Sequence, residues 1–560
     1  MSRTRRQLIR IAVTGILFLL CFAGSAFALQ ERTLTAGCPS LGREKVTGRW
    51  KDGEIVLSLP GTWDLSKMTL EMDGIRTLLA GEEKQEIPAG QETDLSGLAG
   101  RKVPLWDKEK NEGRGTLTIL QGSKLPALFL TVDGEMLKKV NRSKEYMITE
   151  GRAVYAESDG TVAYDGPLEQ LKGRGNNSFR YMKKPYQLKL AEKASLSGMG
   201  RGKTWVLLAN WTDISLLRNQ VVLDMSREIG LRNAVDCVQA DVWINGEYQG
   251  LYLMTEKIQA GGDRLDITNL EKATEKVNPA PFDPGKMLVE RTGEHPVMRC
   301  YPDIRDPEDI TGGYIMTVEK THRIKDYPLA GFRTADGLSI HIKEPTFPSR
   351  GQAEYLFNRV TEMQKALMAQ DESFRDYIDT ASFARRFLIE DWSKNYDYVG
   401  GSQFLYKDSD RIDSRFYAGP SWDYDLSFGN MKDRGWRPEG NYLTNDRKKN
   451  HIHWLVYSHA SFQEEVREVW RELFLPAARI LTGEREAAEG SAVCSLDEYR
   501  RRIEASAEMN FKRWYVNTAA TVREAGQTFS HAVDYLKGWI RARNVWMENQ
   551  YGSVPAEAGQ

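Results

Sequence analysis

Three stretches of this 560-residue chain hold side chains that could do chemistry together. The first, KGRGNNSFRYMKKPYQLKL (Lys172 to Leu190), sets Arg174, Gly175, Asn176 and Asn177 in a turn, then adds Lys183, Lys184 and Lys189. Glycine lets backbone N–H groups approach an anion and the basic side chains supply charge, so such a turn can cradle phosphate. A plain surface hairpin uses the same residue types. The turn also matches neither common glycine-rich phosphate fingerprint. The second stretch, EDWSKNYDYVGGSQFLYKD (Glu390 to Asp408), puts Asp397 in a loop between a helix ending near Asn395 and a strand over FLYKD. An acid there can transfer a proton, cap a helix or serve a turn. The third, GPSWDYDLSFGN (Gly419 to Asn430), carries Asp423 and Asp425 two positions apart. On an extended segment both carboxylates face one side and can hold a hard divalent cation, with water or phosphate completing its shell. A calcium EF-loop does not fit, because the glycine falls one place late at Gly429 and position 434 is Arg. A pair of capping acids is the plain alternative. His451 and His453 form a pair without an evident third metal ligand and are expected at the surface.

The elements that must position these residues change character along the chain. Residues 40–124 contain short β-like runs, GEIVLSL, MTLEM and TLTIL, bounded by Gly, Pro and Asp. They predict a small sandwich-like β-rich module with no chemical signature. From LPALFLTVDG (Leu125 to Gly134) strand patterns continue. In PYQLKL, Tyr186, Leu188 and Leu190 alternate with Gln187 and Lys189, and WVLLANW (Trp205 to Trp211) reads as a buried strand. DISLLRNQVVLDMSREIG predicts one helix, capped by Asp213, striped by Ile214, Leu217, Val221, Met225 and Ile229, and stopped at Gly230. ADVWINGEYQGLYLMTEKI predicts a hairpin around Asn245-Gly246. Residues 271–312, rich in Pro, Asp and Gly, predict a long loop. GYIMTVEK and LSIHIKEP resume strand character, and beyond Arg350 helical patterns dominate, among them QAEYLFNRVTEMQKALMA, SFARRFLIEDWSKN and FQEEVREVWRELFLPAARIL. A β-rich half over about 125–345 and a helical half over about 350–550 predict an α+β fold of two lobes with a cleft between them.

Basic MSRTRRQLIR, apolar IAVTGILFLLCFAG and the A-x-A-like end at Ala26 to Ala28 predict a cleaved signal peptide over residues 1–28. The apolar run is short for a membrane span, so no stable span is expected after cleavage. The product is then secreted or held at the cell envelope. Four cysteines remain, Cys38, Cys237, Cys300 and Cys494, scattered without a C-x-x-C pair. That excludes a zinc ribbon and a dense disulfide scaffold while leaving one or two long-range disulfides open. A net charge of -1 gives no sign of a nucleic-acid partner.

GRGNNSF, KKPYQLKL, WVLLANWTDISLLRN, NGEYQGLYLMTEKI, NYDYVGGSQFLYKD and GPSWDYDLSFGN, in this order over about residues 125–430, resemble the spore coat protein H (CotH) family of secreted atypical protein kinases. The resemblance implies a kinase-like domain over 125–550 that binds ATP with Mg2+ or Mn2+ and phosphorylates a protein hydroxyl. By it, Arg174, Gly175 and Asn176 would cover the phosphates, and Lys189 would contact them from a strand, with Lys184 its rival. Arg218 would lie on the regulatory helix near the nucleotide. The glutamate that kinases pair with the strand lysine has two candidates, Glu228 and Glu256. Asp397 would be the catalytic acid, and Asp423 and Asp425 the metal ligands. Ser402 stands where kinases place a metal-binding Asn and is a weaker neutral ligand. The acceptor would be a secreted or envelope-associated protein. A kinase-shaped adhesion or envelope protein without catalysis is the second reading. A secreted glycoside hydrolase is a third, disfavoured because Asp423 and Asp425 are too close in sequence to flank a sugar bond comfortably.

Overall fold

A computed structural model describes residues 33–38, 44–292, 295–320, 329–398, 401–432, 435–444, 451–514 and 527–552. The expected signal peptide lies outside the described residues. Among them, no helix is long and apolar enough to cross a membrane. Helices and strands are mixed, and the chain divides into two units: residues 1–122 with Trp243–Tyr248, and residues 123–242 with 249–560.

The first unit is built of short strands in two sheets. Leu34–Gly37 pairs with Lys45–Thr47 and with Met68–Met72, which pairs with Glu92–Thr93. The second sheet runs Arg49–Lys51, Glu54–Leu59, Glu112–Gln121, Lys102–Asp107, Thr77–Ala80 and Gln85–Pro88. Leu34, Val46, Ile55, Leu57, Leu117 and Ile119 are fully buried. Trp243 packs into this unit and donates its ring N–H to the Ser58 carbonyl at 3.1 Å.

The second unit contains the residues singled out for chemistry. Its first sheet contains β1 (Ala127–Val132), β2 (Gly151–Ala156), β3 (Val162–Gly173), β4 (Tyr186–Ala194), β5 (Gly202–Leu208), β6 (Cys237–Ile244) and β7 (Glu247–Glu256), the tip of the last two, Trp243–Tyr248, being counted with the first unit. The order is β5-β4-β3-β2-β1-β6-β7, and β5 also pairs with β7, so the sheet closes on itself. In β4, Tyr186, Leu188 and Leu190 are buried, as the alternation requires. The Asn245-Gly246 turn joins β6 to β7 with both residues at positive φ, 52° and 82°. That is the backbone a tight two-residue hairpin needs.

A second antiparallel sheet comprises β8 (Leu288–Thr292), β9 (His295–Cys300), β10 (Tyr314–Val318), β11 (Gly331–Arg333), β12 (Ser339–Glu344), β13 (Gln403–Lys407) and β14 (Phe416–Ala418). Its order, β8-β9-β11-β12-β10-β13-β14, draws strands from both sides of residue 350.

The helices of this unit are α1 (Gly134–Arg142), α2 (Arg218–Glu228), α3 (Leu270–Val277), α4 (Arg350–Met368), α5 (Thr380–Ser393), α6 (His451–Tyr457), α7 (Ala460–Val469), α8 (Leu475–Thr482), α9 (Leu496–Arg513) and α10 (Phe529–Met547). Ser349 and Gln352 form a capping box at the start of α4. Asp379 caps α5 through the Ser382 N–H at 2.8 Å. Phe383, Phe387 and Trp392 of α5 are fully buried in the same core cluster as Leu356, Trp470 and Ile540.

Four expectations change. The helix expected from Asp213 begins only at Arg218, because Leu216 adopts φ 58° and interrupts the turn before it. The expected loop over 271–312 instead holds most of α3, capped by Asn269 through the Lys272 N–H, and the β8–β9 hairpin. The pattern FQEEVREVWRELFLPAARIL is broken between α7 and α8 by a π-helical turn over Trp470–Phe474. Cys237, Cys300 and Cys494 are free thiols.

Candidate functional site

The acid-bearing segment is fixed from its buried side. Tyr424, between the two acids, is fully buried, and its hydroxyl donates to the Glu390 carboxylate and accepts from Arg386. Arg386 and Glu390 sit one turn apart on α5 and pair at 2.9 Å with almost no exposure. The Tyr424 backbone N–H donates to Asn219 Oδ1 of α2 at 2.7 Å. Beyond the acids, the Phe428 N–H bonds the Ser393 carbonyl at 2.8 Å, and its ring meets Trp392 edge-on at 4.7 Å. These contacts tie the acid segment to the end of α5. α5 itself ends where Lys394 turns left-handed at φ 47°, which releases the chain into the loop bearing Asp397.

Asp423 does not lie on a plain extended strand. Its φ is 71°, rare for a non-glycine residue, and backbone strain of this kind persists where neighbours over-determine it. Even so, Asp423 and Asp425 interact electrostatically, as do Asp423 and Asp397. Burial, then repulsion from Asp397, pushes the Asp423 carboxyl above its ordinary range, and Arg174 and a hydrogen bond with Ser402 oppose this. Asp425 is pushed up first by burial and then by Asp423, while the Thr212 hydroxyl donates to it. Tyr181, stacked on Trp211 at 5.8 Å, lies within the field of Asp425 and Asp397. Like charges gathered in a half-buried place are costly unless a cation or protons relieve them.

Facing the acids is the turn between β3 and β4. Gly175 has φ 84°, and a Cβ there would meet Ser178 Oγ at 2.2 Å. A Cβ at Gly173 would strike the Phe179 ring, also at 2.2 Å, so both glycines let the turn pack on itself. Asn176 and Asn177 are exposed at its tip. Arg174 reaches back and lays its guanidinium 5.3 Å over the Trp422 ring, next to Asp423.

The other basic residues separate into distinct roles. Lys183 is buried under the Leu251 carbonyl, and burial lowers its ammonium to about 7. Lys184 bonds the Phe179 carbonyl at 2.8 Å and covers its ring, so it braces the turn. Arg218 is fully buried, paired with Asp213 at 2.6 Å and donating to the Ser427 carbonyl at 3.0 Å. It is a strut between α2 and the acid segment and does not reach a ligand surface. Lys189 lies on the same face of the sheet as Arg174 and pairs with Glu169 at 2.8 Å. The carboxylate that Lys189 meets is therefore Glu169, and neither expected glutamate. Glu228 instead accepts from Ser491 and the Ala492 N–H, and Glu256 pairs with Arg264.

Sequence reasoning missed Thr212, Glu169 and the bond by which Asn219 holds the acid segment. Thr212 and Asn219 fall within WVLLANWTDISLLRN but show no charge. Glu169 reaches Lys189 because β3 bulges between Leu168 and Gln170, which alternation alone cannot reveal. His453, expected at the surface, is buried and bonded to the Tyr398 hydroxyl between Phe383 and Phe387. Burial lowers its imidazole to about 3, so it stays neutral.

Among the described residues, no three His, Cys, Asp or Glu side chains gather closely enough to hold a metal by themselves. The oxygens present still suit Mg2+ or Mn2+, which take one or two carboxylates and complete their shell with water and phosphate. Asp423, Asp425 and Ser402 supply hard oxygen donors. Beside them, Asn430 Oδ1 is buried without a partner among the described residues, while its amide nitrogen bonds the Thr212 and Asp425 carbonyls at 2.8 Å each.

Fold and site together define a mixed α+β protein whose basic hairpin meets a cluster of half-buried carboxylates. The model of the CotH kinase protein family matches residues 171–547, more than half of the chain, and the chain belongs to that family. Membership makes it a kinase-like protein. No curated protein matches the chain.

Proposed function

We propose that this chain is an exported protein kinase that, with a divalent cation, moves the γ-phosphoryl group of ATP to a protein hydroxyl. The observation that carries this reading is the shared electrostatic neighbourhood of Asp397, Asp423, Asp425, Ser402 and Arg174, drawn from three separate stretches of the sequence. Asp423 and Asp425, with Ser402, are the residues that would hold Mg2+ or Mn2+. The ion's contribution there is to neutralise charge on the phosphates. Arg174 presents positive charge, and Gly175 and Asn176 backbone N–H groups, to the phosphates, while Lys189, steadied by Glu169, adds positive charge further along the same face. Lys184 and Arg218 leave the phosphate-binding set, because their side chains are committed to the turn and to Asp213. Asp397 orients the acceptor hydroxyl and takes its proton.

In this reading the kinase-like domain spans about 125–550, with a β-rich lobe to about 345 and a helical lobe from about 350. A sandwich-like module precedes it, and residues 1–28 direct export to the envelope or beyond. The test is transfer from γ-labelled ATP, with Mg2+ or Mn2+, to a mixture of secreted and envelope proteins. Wild type should label an acceptor, and Asp397→Asn should lose transfer by about a hundredfold or more while still binding nucleotide. A wild type that binds nucleotide yet labels no acceptor, with either metal, would overturn the reading.

A further inference from the structure

Cross-strand register lays out one face of the closed sheet in rows. Lys172 of β3 stands opposite Gln187 of β4, Gln187 opposite Val206 of β5, and Val206 opposite Thr255 of β7. Arg174 lies one row further toward the acids, its N–H bonded to the Pro185 carbonyl at 3.1 Å. One row the other way, Lys189 stands opposite Thr204, and Lys257 follows two residues after Thr255. Alternation along each strand keeps Arg174, Lys172, Lys189 and Lys257 on the same face. Leu208 and Leu253 of this face pack beside Trp422, the ring beneath Arg174. Successive rows are about 7 Å apart, so the cations form a track leading from Asp423.

Lys172 is the odd member. Arg174 has Trp422 and Asp423, Lys189 has Glu169, and Lys257 has Glu344 at 4.0 Å. Lys172 is half-buried, and among the described residues no carboxylate pairs with it. Lys257 repels it, so burial and then that repulsion hold its ammonium below the ordinary lysine value. A half-buried cation beside a like charge is unfavourable in the free protein and becomes favourable once an anion arrives.

We propose that Lys172, with Lys257 behind it, is a binding station for a phosphate chain that extends past Arg174 away from the acids. The ligand chemistry is a polyphosphate, carried either by a nucleoside triphosphate or by inorganic polyphosphate. This deepens the kinase reading and rests on it for the nucleotide case only.

The test is titration calorimetry of the full chain with Mg-ATP and, separately, with inorganic tripolyphosphate. The variants are Lys172→Met, Lys257→Met and Lys172→Arg, each checked by melting. Removing a charge-assisted contact should weaken binding of at least one probe about tenfold in Lys172→Met, less in Lys257→Met, with Lys172→Arg restoring most of it. Loss for both probes identifies the shared phosphate chain, and loss for Mg-ATP alone identifies the nucleotide. Folded Lys172→Met that binds both probes as wild type does would overturn the proposal, even if phosphoryl transfer proceeds. A wild type that binds neither probe would overturn it as well. Lys172-dependent tripolyphosphate binding without any phosphoryl transfer would uphold the station and count against the kinase reading.

Discussion

Arg218 separates a structural account from a ligand-binding one. Among the described residues its guanidinium bonds Asp213 Oδ1 at 2.6 Å, Ser215 Oγ at 3.1 Å and the Ser427 carbonyl at 3.0 Å, and both members of the ion pair are fully buried. Arg218→Met removes these bonds and leaves Asp213 charged, held by the N–H groups of Ser215 and Arg218 and the Ser215 hydroxyl. Breaking one side of such a pair costs about 3–5 kcal/mol. Replacing the acid as well removes the uncompensated charge, so Arg218→Met with Asp213→Asn should recover about 2 kcal/mol of that loss. Arg218→Lys keeps the charge but not the fork that spans Asp213 and Ser427, and should cost about 1–2 kcal/mol. Urea unfolding of the four proteins, followed by Trp fluorescence, gives these differences directly. The folded Arg218→Lys protein should bind Mg-ATP within about twofold of wild type, since the side chain is fully buried. A variant with unchanged stability and lost nucleotide affinity would refute the strut and return Arg218 to the phosphate site.

Other outcomes follow from the same contacts. Tyr424→Phe strands the buried Arg386–Glu390 pair without its shared hydroxyl, and should cost about 1–3 kcal/mol in urea unfolding. Burial and mutual repulsion keep Asp423 and Asp425 protonated to higher pH than free carboxylates, so cation binding must expel protons. Mg2+ affinity measured by calorimetry should therefore rise as pH increases from 6 to 8. His453 has a folded-state value of about 3, below the ordinary value near 6.5 of the unfolded chain. The unfolded state then binds the extra proton, so stability is lost as pH falls below about 6.5, and His453→Gln should reduce that slope by close to one proton.

The parts legible in the sequence were those with a local rule. Alternation fixed the phase of Tyr186, Leu188 and Leu190, the Asn245-Gly246 pair marked a hairpin, and the apolar pattern of SFARRFLIEDW placed Asp397 just past a helix. The three chemical stretches also share one electrostatic neighbourhood. What escaped depended on partners far away in sequence. Arg218 reads as a cation beside the nucleotide until Asp213 and Ser427 enclose it, and His453 reads as a surface residue until Tyr398 gives it a bond inside an aromatic core. Glu169 meets Lys189 through a bulge, and Leu216 delays α2 by adopting a backbone angle that no propensity predicts. In 271–312 the Pro, Asp and Gly content outweighed the amphipathic run LEKATEKV, whose cap at Asn269 lies just before that range.

The central claim is that Asp423 and Asp425 hold a divalent cation against the phosphates of ATP. Isothermal titration of the full chain with ATP, with and without Mg2+, on wild type and Asp423→Asn tests it most directly. The account predicts metal-dependent binding by wild type and a loss of about tenfold or more in the variant. Binding that ignores the metal, or survives unchanged in Asp423→Asn, would contradict it.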